Sequence, residues 1–440
     1  MLEKVFKLNE KGTTVKTELV AGLTTFLAMA YILAVNPAML SATGMSTQGV
    51  FLATAISSAI ASVLMGILAN YPVALSAGMG VNAVFTYTIV LTMGLSYEGA
   101  LACVFVSGIL FILISVTGLR SIIIKAIPAQ LKIAIGAGIG FFIAFIGLKN
   151  AGIVVASEST YVAFGDVTDP AVLLAIFGII VTIVLLIRKV PAAVFYGILI
   201  TAVVGIIAGL CGVKGMPELP KKVISVDFDF SLVGAFAKGF GDLAKHPQCF
   251  MAIFSLLFVD FFDTAGTLVA VASGAGLVNE DGELDNIDRA LLADSIGTVV
   301  GSVLGTSTVT SFVESTSGVK VGGKTGLTAC TTGALFLLSI FFYPLLTCVT
   351  SAVTAPALFV VGILMAQQLK AIEWDNIVVA ASTFVTVIFM ILAYSITNGI
   401  ALGFIVYAIG MVADKKAKEV KPIVWVLVVL FAIYFAFLPK

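Results

Sequence analysis

The 440-residue sequence has little charge and almost no histidine. Only 11% of its residues are charged, 24 basic against 24 acidic, whereas soluble globular proteins run to about 25% charged. A chain that is 60% hydrophobic cannot cover itself with polar surface in water, which excludes an ordinary soluble enzyme and a disordered protein. Zero net charge without a basic stripe excludes electrostatic nucleic-acid binding as a main activity. The five cysteines (Cys103, Cys211, Cys249, Cys330 and Cys348) are scattered without CxxC spacing, so they make neither a disulfide framework nor a metal site, and we read them as small core residues. The single histidine, His246, means that any proton relay must use carboxylates. No metal or cofactor is expected. The N-terminus bears Lys4, Lys7, Lys11 and Lys16 and lacks the short apolar region and small-residue cleavage site of a signal peptide. Alternating strands of about ten residues, the mark of a membrane β-barrel, are missing too.

What is present is a series of long apolar runs. A membrane span takes about 20 apolar residues. Candidates lie at 19–41, 49–69, 73–92, 98–117, 126–148, 170–187 and 191–210. A polar connection over 212–247 follows, and then 249–276, 289–304, 306–319, 324–345, 353–370, 376–393 and 395–412. The fold class is therefore an all-α polytopic membrane protein with 14 transmembrane segments. Seven spans, a loop and seven more read as a 7+7 inverted repeat, because an odd number of spans inverts the second half. A last run, 423–438, is either a fifteenth span or an interfacial helix. With a cytoplasmic N-terminus, 17 of the 24 basic residues fall on the cytoplasmic side, including the Lys415–Lys421 cluster, as the positive-inside rule demands.

The halves correspond in places. Spans 5 and 12 both open with a proline (Pro128, Pro356) and continue through glycine. Span 3 (Ala74 to Asn82) and span 10 (Gly305 to Glu314) are both rich in Gly, Ser and Thr, which sustain a continuous helix poorly. Interrupted segments at matching places in two halves are the best sequence pointer to a transporter binding site. Unwound backbone there must face protein or a cavity, since lipid cannot satisfy it.

Acidic residues inside spans cost about 2.5–3.5 kcal/mol each on insertion scales and are functional candidates by default. Asp260 and Asp263 in span 8 are three apart, on one helix face. Glu314 lies in span 10 beside the broken stretch. Asp294, near Arg289, reads as structural. Buried carboxylates accept hydrogen bonds and take up protons, so they suit a cation or a flat neutral ligand rich in N–H donors, and they are poor for anions. Asn82 offers an amide that both donates and accepts, or else caps a broken helix. Phe261, Phe262 and Phe312 flank the polar positions and either stack on an aromatic ligand or simply pack. Gly136-Ala137-Gly138-Ile139-Gly140 imitates a nucleotide loop but lies in a span with no strand before it, so it reads as helix packing. The acidic stretch from Asn279 to Asp285 fails the EF-hand spacing and reads as a solvated loop.

Five stretches carry a resemblance over nearly the whole chain: Thr17-Glu18-Leu19-Val20-Ala21-Gly22 running to Met29; Gly78-Met79-Gly80-Val81-Asn82-Ala83; Ile135 to Gly140 with Gly147 to Gly152; Asp260-Phe261-Phe262-Asp263-Thr264-Ala265-Gly266-Thr267; and Glu314 to Val319 with Gly322 to Thr328. In these the sequence resembles the AzgA-like purine (hypoxanthine/guanine/adenine) permeases of the nucleobase-cation symporter-2, or nucleobase-ascorbate transporter, superfamily. It differs at Ser76-Ala77, where Ala-Pro is expected, and at Lys324, where Arg is expected. The resemblance implies a core domain (1–120 and 248–348) and a gate domain (121–247 and 349–440), with short strands in spans 3 and 10. It implies a purine nucleobase substrate bound by Asp263, Glu314, Asn82, Asp260, Phe262, Thr267 and Thr310, with proton coupling through Asp263, Asp260 and Glu314. It further implies proton symport across the cytoplasmic membrane by a homodimer, and no enzymatic activity. The alternatives are another substrate on the same fold, uracil/xanthine or a small anion such as sulfate or bicarbonate. An anion site would need helix N-termini and basic groups, against which Asp263 and Glu314 argue. A membrane-embedded enzyme lacks a metal cluster or a nucleophile–base pair.

Overall fold

The computed structural model describes residues 2–118, 123, 126–246, 248–277 and 284–437. Most of the acidic stretch at 279–285 thus lies outside the described residues, as does the span 4 to span 5 boundary at 119–122. In chain order the elements are α1 (Val15–Met29), α2 (Ile32–Leu40), α3 (Thr47–Leu68), β1 (Leu75–Ala77), α4 (Met79–Ala83), α5 (Tyr97–Val116), α6 (Ala129–Asn150), β2 (Val154–Ser157), β3 (Tyr161–Phe164), α7 (Pro170–Ile187), α8 (Ala193–Leu210), α9 (Gln248–Gly274), α10 (Ile287–Leu304), β4 (Val309–Ser311), α11 (Ser315–Lys320), α12 (Gly326–Ser339), α13 (Ser351–Ala366), α14 (Ile377–Leu392), α15 (Ile396–Ala413) and α16 (Pro422–Phe437). Among the described residues, nine helices are long and apolar enough to cross a membrane.

The helices begin where the sequence supplies a cap. Thr14, Ser46, Ser96, Asp169, Thr325, Asn376 and Ser395 each accept a hydrogen bond from a backbone amide in the first turn that follows. Within the apolar runs, hydroxyls are satisfied by the preceding turn, as Thr54 does on Val50 O at 2.6 Å and Thr182 on Gly178 O at 2.7 Å. Many polar groups of the runs are thus closed within their helices, as a hydrocarbon environment demands, while the Thr25, Ser107, Thr383 and Thr397 hydroxyls are buried without a partner among the described residues.

The expected interruptions are found in spans 3 and 10. Each contains a three-residue strand followed by a short helix, and α4 continues as a π-helix over Val84–Thr92. β1 and β4 pair antiparallel, with Leu75 opposite Ser311, Ser76 opposite Thr310 and Ala77 opposite Val309. All six residues are buried. Gly78 N then donates to Thr308 O at 3.0 Å, and Phe312 N to Ala74 O at 3.0 Å. The unwound backbone thus closes on itself across the two halves of the chain.

Glycines set how closely the helices approach. On α6, Gly136, Gly140 and Gly147 meet Gln368, Gly362 to Met365, and Leu358 with Ala355 respectively, so α6 and α13 run antiparallel in tight contact. A methyl group on Gly140 would lie 2.5 Å from Met365 Cβ. The glycine-rich stretch is helix packing. The first and last of the five stretches also meet. Glu18, fully buried on α1, accepts from Lys324 N at 2.9 Å and from Thr328 Oγ1 at 2.6 Å, at the N-terminus of α12, where a negative charge is favoured.

The last apolar run forms α16 and is packed into the bundle. Val424 and Phe431 are fully buried, Phe431 stacks edge-on against Phe254 and Phe258, and Tyr434 Oη donates to Asn398 Oδ1 at 3.2 Å. All five cysteines are free.

Candidate functional site

The ends of the two strands, Ser311 of β4 and Gly78 just after β1, border a cavity of about 650 Å³. α9 contributes Phe262, Asp263 and Thr267; the β4–α11 segment contributes Phe312 and Glu314; Gly78 to Gly80 and one side of α6 and α13 complete it. Its apolar floor with a few convergent polar groups is the usual form of a small-molecule site. Gly78 has a geometric reason to be glycine. A methyl group there would lie 2.5 Å from Thr310 Cγ2 and 3.5 Å from Asp263 Oδ2, so the backbone passes directly beneath the carboxylate.

Of the seven expected site residues, four stand on the cavity wall: Asp263, Glu314, Phe262 and Thr267. Asp263 is within electrostatic reach of Glu314. The other three lie behind the wall. Thr310 shares a 2.6 Å hydrogen bond with Thr264. Asp260 is fully buried and accepts from Thr264 Oγ1 and Thr298 Oγ1, both at 3.4 Å. Asn82, also fully buried, accepts from the Ser307 hydroxyl, while its Nδ2 donor has no protein partner among the described residues. Of the flanking phenylalanines, Phe312 reaches the cavity, whereas Phe261 packs edge-on against Phe262.

Asp294 belongs to this rear layer. It accepts from Thr264 Oγ1 at 3.0 Å, Ser311 N at 3.1 Å and Ser311 Oγ at 3.3 Å. A carboxylate is thereby fastened to the strand backbone, the structural role the sequence suggested, though through hydroxyls and an amide.

Sequence reasoning missed Tyr31. It sits at the break between α1 and α2, is 1% exposed, and donates to Glu314 Oε1 at 2.5 Å. A tyrosine in an apolar run whose phenol needs a buried partner was the available signal. Gln368 and Lys132 at the side of the cavity were also missed.

At the far end of α6, Lys149 Nζ lies over two rings, 5.5 Å from the centre of Tyr87 and 4.7 Å from that of Tyr394. Asn150 Nδ2 donates to Tyr87 Oη at 3.0 Å. Among the described residues, no group of three or more His, Cys, Asp or Glu is arranged to hold a metal ion.

Long apolar helices around a buried strand pair, with acids on an internal cavity, define a multi-pass membrane protein. Residues 16–402 match the sequence profile described as the Permease family (Xan_ur_permease), and the chain belongs to that family. It is 49% identical over 452 residues to the guanine/hypoxanthine permease PbuG of Bacillus subtilis, covering 99% of this chain and 100% of that one. It is 41% identical over 438 residues to the adenine permease AdeP of Escherichia coli, covering 100% and 96%. In fold it is similar to the transmembrane domain of the cyanobacterial bicarbonate transporter BicA, with a TM-score of 0.61 at 16% identity over 91% of this chain and 96% of that domain.

Proposed function

We propose that this protein is a secondary active permease that imports purine nucleobases, adenine, guanine and hypoxanthine, by proton symport. The observation that carries the reading is the pair of carboxylates, Asp263 and Glu314, on one cavity wall beside the paired strands. Two acceptor groups suit the N–H donors of a neutral planar base, and Phe262 and Phe312 supply ring faces for stacking. Names of relatives such as PbuG and AdeP support the same substrate class. The fold it shares with a bicarbonate transporter does not decide the cargo, because function resides in the site. An anion would meet two carboxylates here against one lysine, Lys132.

In this reading the chain has 14 spans as two inverted sets of seven and lies in the cytoplasmic membrane with its N-terminus inside. Residues 1–120 and 248–348 form a core that moves against a gate of residues 121–247 and 349–440, and two copies pair. A proton on Asp263 or Glu314 removes one of the two negative charges that face the cavity and favours crossing with substrate bound; Asp260, behind the wall, is the third candidate for that proton. The test is uptake of labelled hypoxanthine by cells expressing the protein, competed by a panel of nucleobases at two pH values. Competition by adenine and guanine, with faster uptake at the lower external pH, is expected. Competition by uracil or xanthine alone, or uptake unchanged in Glu314→Ala, overturns the substrate and site assignments respectively.

A further inference from the structure

Tyr31 is buried to 1% and its hydroxyl points at one oxygen of a cavity carboxylate. A phenol has a single proton to give, and a buried hydroxyl left without a partner costs about 1–3 kcal/mol, so the contact with Glu314 Oε1 is where that proton goes. The partners are 283 residues apart in the chain and come from different elements: Tyr31 from the break between α1 and α2, Glu314 from the turn that joins β4 to α11. Asp263 lies within electrostatic reach of both.

The consequence for Glu314 is geometric. The terminal torsion of a glutamate is broad and roughly two-fold, so a free side chain presents its oxygens in many orientations. A charge-assisted hydrogen bond from a rigid ring removes that freedom at one oxygen. The Tyr31 backbone cannot wander either, because Tyr31 O accepts from Ala34 N at 3.0 Å and Val35 N at 2.9 Å. Oε1 is therefore committed to Tyr31, the residue's own backbone amide also meets the carboxylate, and the lone pairs left over are the acceptors for whatever enters the cavity.

We propose that Tyr31 is a positioning residue for the substrate: it fixes Glu314 so that one carboxylate oxygen, set beside Asp263, receives a ring N–H of a planar heterocycle. The inference rests on the purine reading of this cavity. Tyr31 acts through Glu314 and makes no contact of its own with the base.

Binding of hypoxanthine to the purified full-length protein in detergent, measured by titration calorimetry, tests it. Four forms are compared: native, Tyr31→Phe, Glu314→Gln and the double variant. Tyr31→Phe keeps the ring and its packing, so its melting temperature should match the native one. Its affinity should fall about tenfold, the size expected for losing one charge-assisted hydrogen bond. In the Glu314→Gln background the same change should cost clearly less, because the amide Oε1 that Tyr31 then meets carries no charge and the charge-assisted coupling resides in the pair. In uptake, Tyr31→Phe should raise KM and leave the maximal rate. Native affinity in Tyr31→Phe overturns the proposal, and so does an equal loss in both backgrounds, which would make Tyr31 a packing residue. If Tyr31→Phe does not fold, site-specific 3-fluorotyrosine at position 31 makes the phenol a more acidic donor with one ring hydrogen exchanged for fluorine, and unchanged affinity there is likewise fatal. A native protein that binds hypoxanthine while Tyr31→Phe behaves identically sinks this inference alone; a native protein that binds no purine sinks the purine reading and this inference with it.

Discussion

Two pairs of acids flank the three-residue strand β4, and they live differently. On the cavity side stand Asp263 and Glu314. Behind the strand lie Asp294, meeting the Thr264 hydroxyl and both the amide and the hydroxyl of Ser311, and Asp260, with the Thr264 and Thr298 hydroxyls both 3.4 Å away and each nearer to another acceptor. The same side-chain chemistry in the same apolar interior thus serves two ends. Asp294, met by the Ser311 amide, fastens strand backbone; Asp263 and Glu314, facing a cavity, are placed to meet a ligand. An acid within a membrane span is a candidate for function, but its partners decide which function.

Substitutions should separate the two pairs. The largest effect is expected at the front: Asp263→Ala should reduce nucleobase uptake at least a hundredfold while the purified protein melts within a few degrees of native. Behind the strand the order reverses. Asp294→Ala strands the Ser311 amide, at a cost of about 1–3 kcal/mol, so melting temperature and yield should fall before any change in substrate preference is seen. The strand between them is probed by Gly78→Ala, whose methyl meets Thr310 Cγ2 at 2.5 Å. Uptake should drop about tenfold, and Gly78→Ala with Thr310→Ser, which removes that methyl and keeps the hydroxyl, should recover most of it. The smallest effect belongs to an acid outside the membrane. Hydroxyls of Ser46 and Ser231 hold the Asp229 carboxyl below the usual carboxylate range. A depressed value stabilises the fold above the unfolded carboxylate's titration and is lost as pH falls through the folded one. Ser46→Ala should therefore lower thermal stability more at neutral pH than at pH 2, where only the loss of the α3 cap remains.

Much of this arrangement could be read from the sequence because its signals are local. Apolar runs mark the helices, and the Gly-Ser-Thr stretches at 74–82 and 305–314 mark where spans 3 and 10 break, while the short strands there were implied by the family resemblance. The division between front and back was harder to see. Asp260 and Asp263, three residues apart, differ by about 60° around a helix with 3.6 residues per turn. That angle keeps them on one broad face, yet with β4 lying against α9 it is enough to put one on each side of the strand. Tyr31 escaped for another reason: its partner is 283 residues away, and nothing near it in the chain announces a carboxylate.

The pairing of Leu75–Ala77 with Val309–Ser311 also imposes an order on synthesis. When β1 leaves the ribosome its partner is more than 200 residues from being made. Until β4 arrives, the amides and carbonyls of β1 must be shielded by water, by the insertion machinery or by Ser62, whose hydroxyl meets both the amide and the carbonyl of Leu75. The first half of this protein thus enters the membrane carrying an unfinished seam, which only the second half can close.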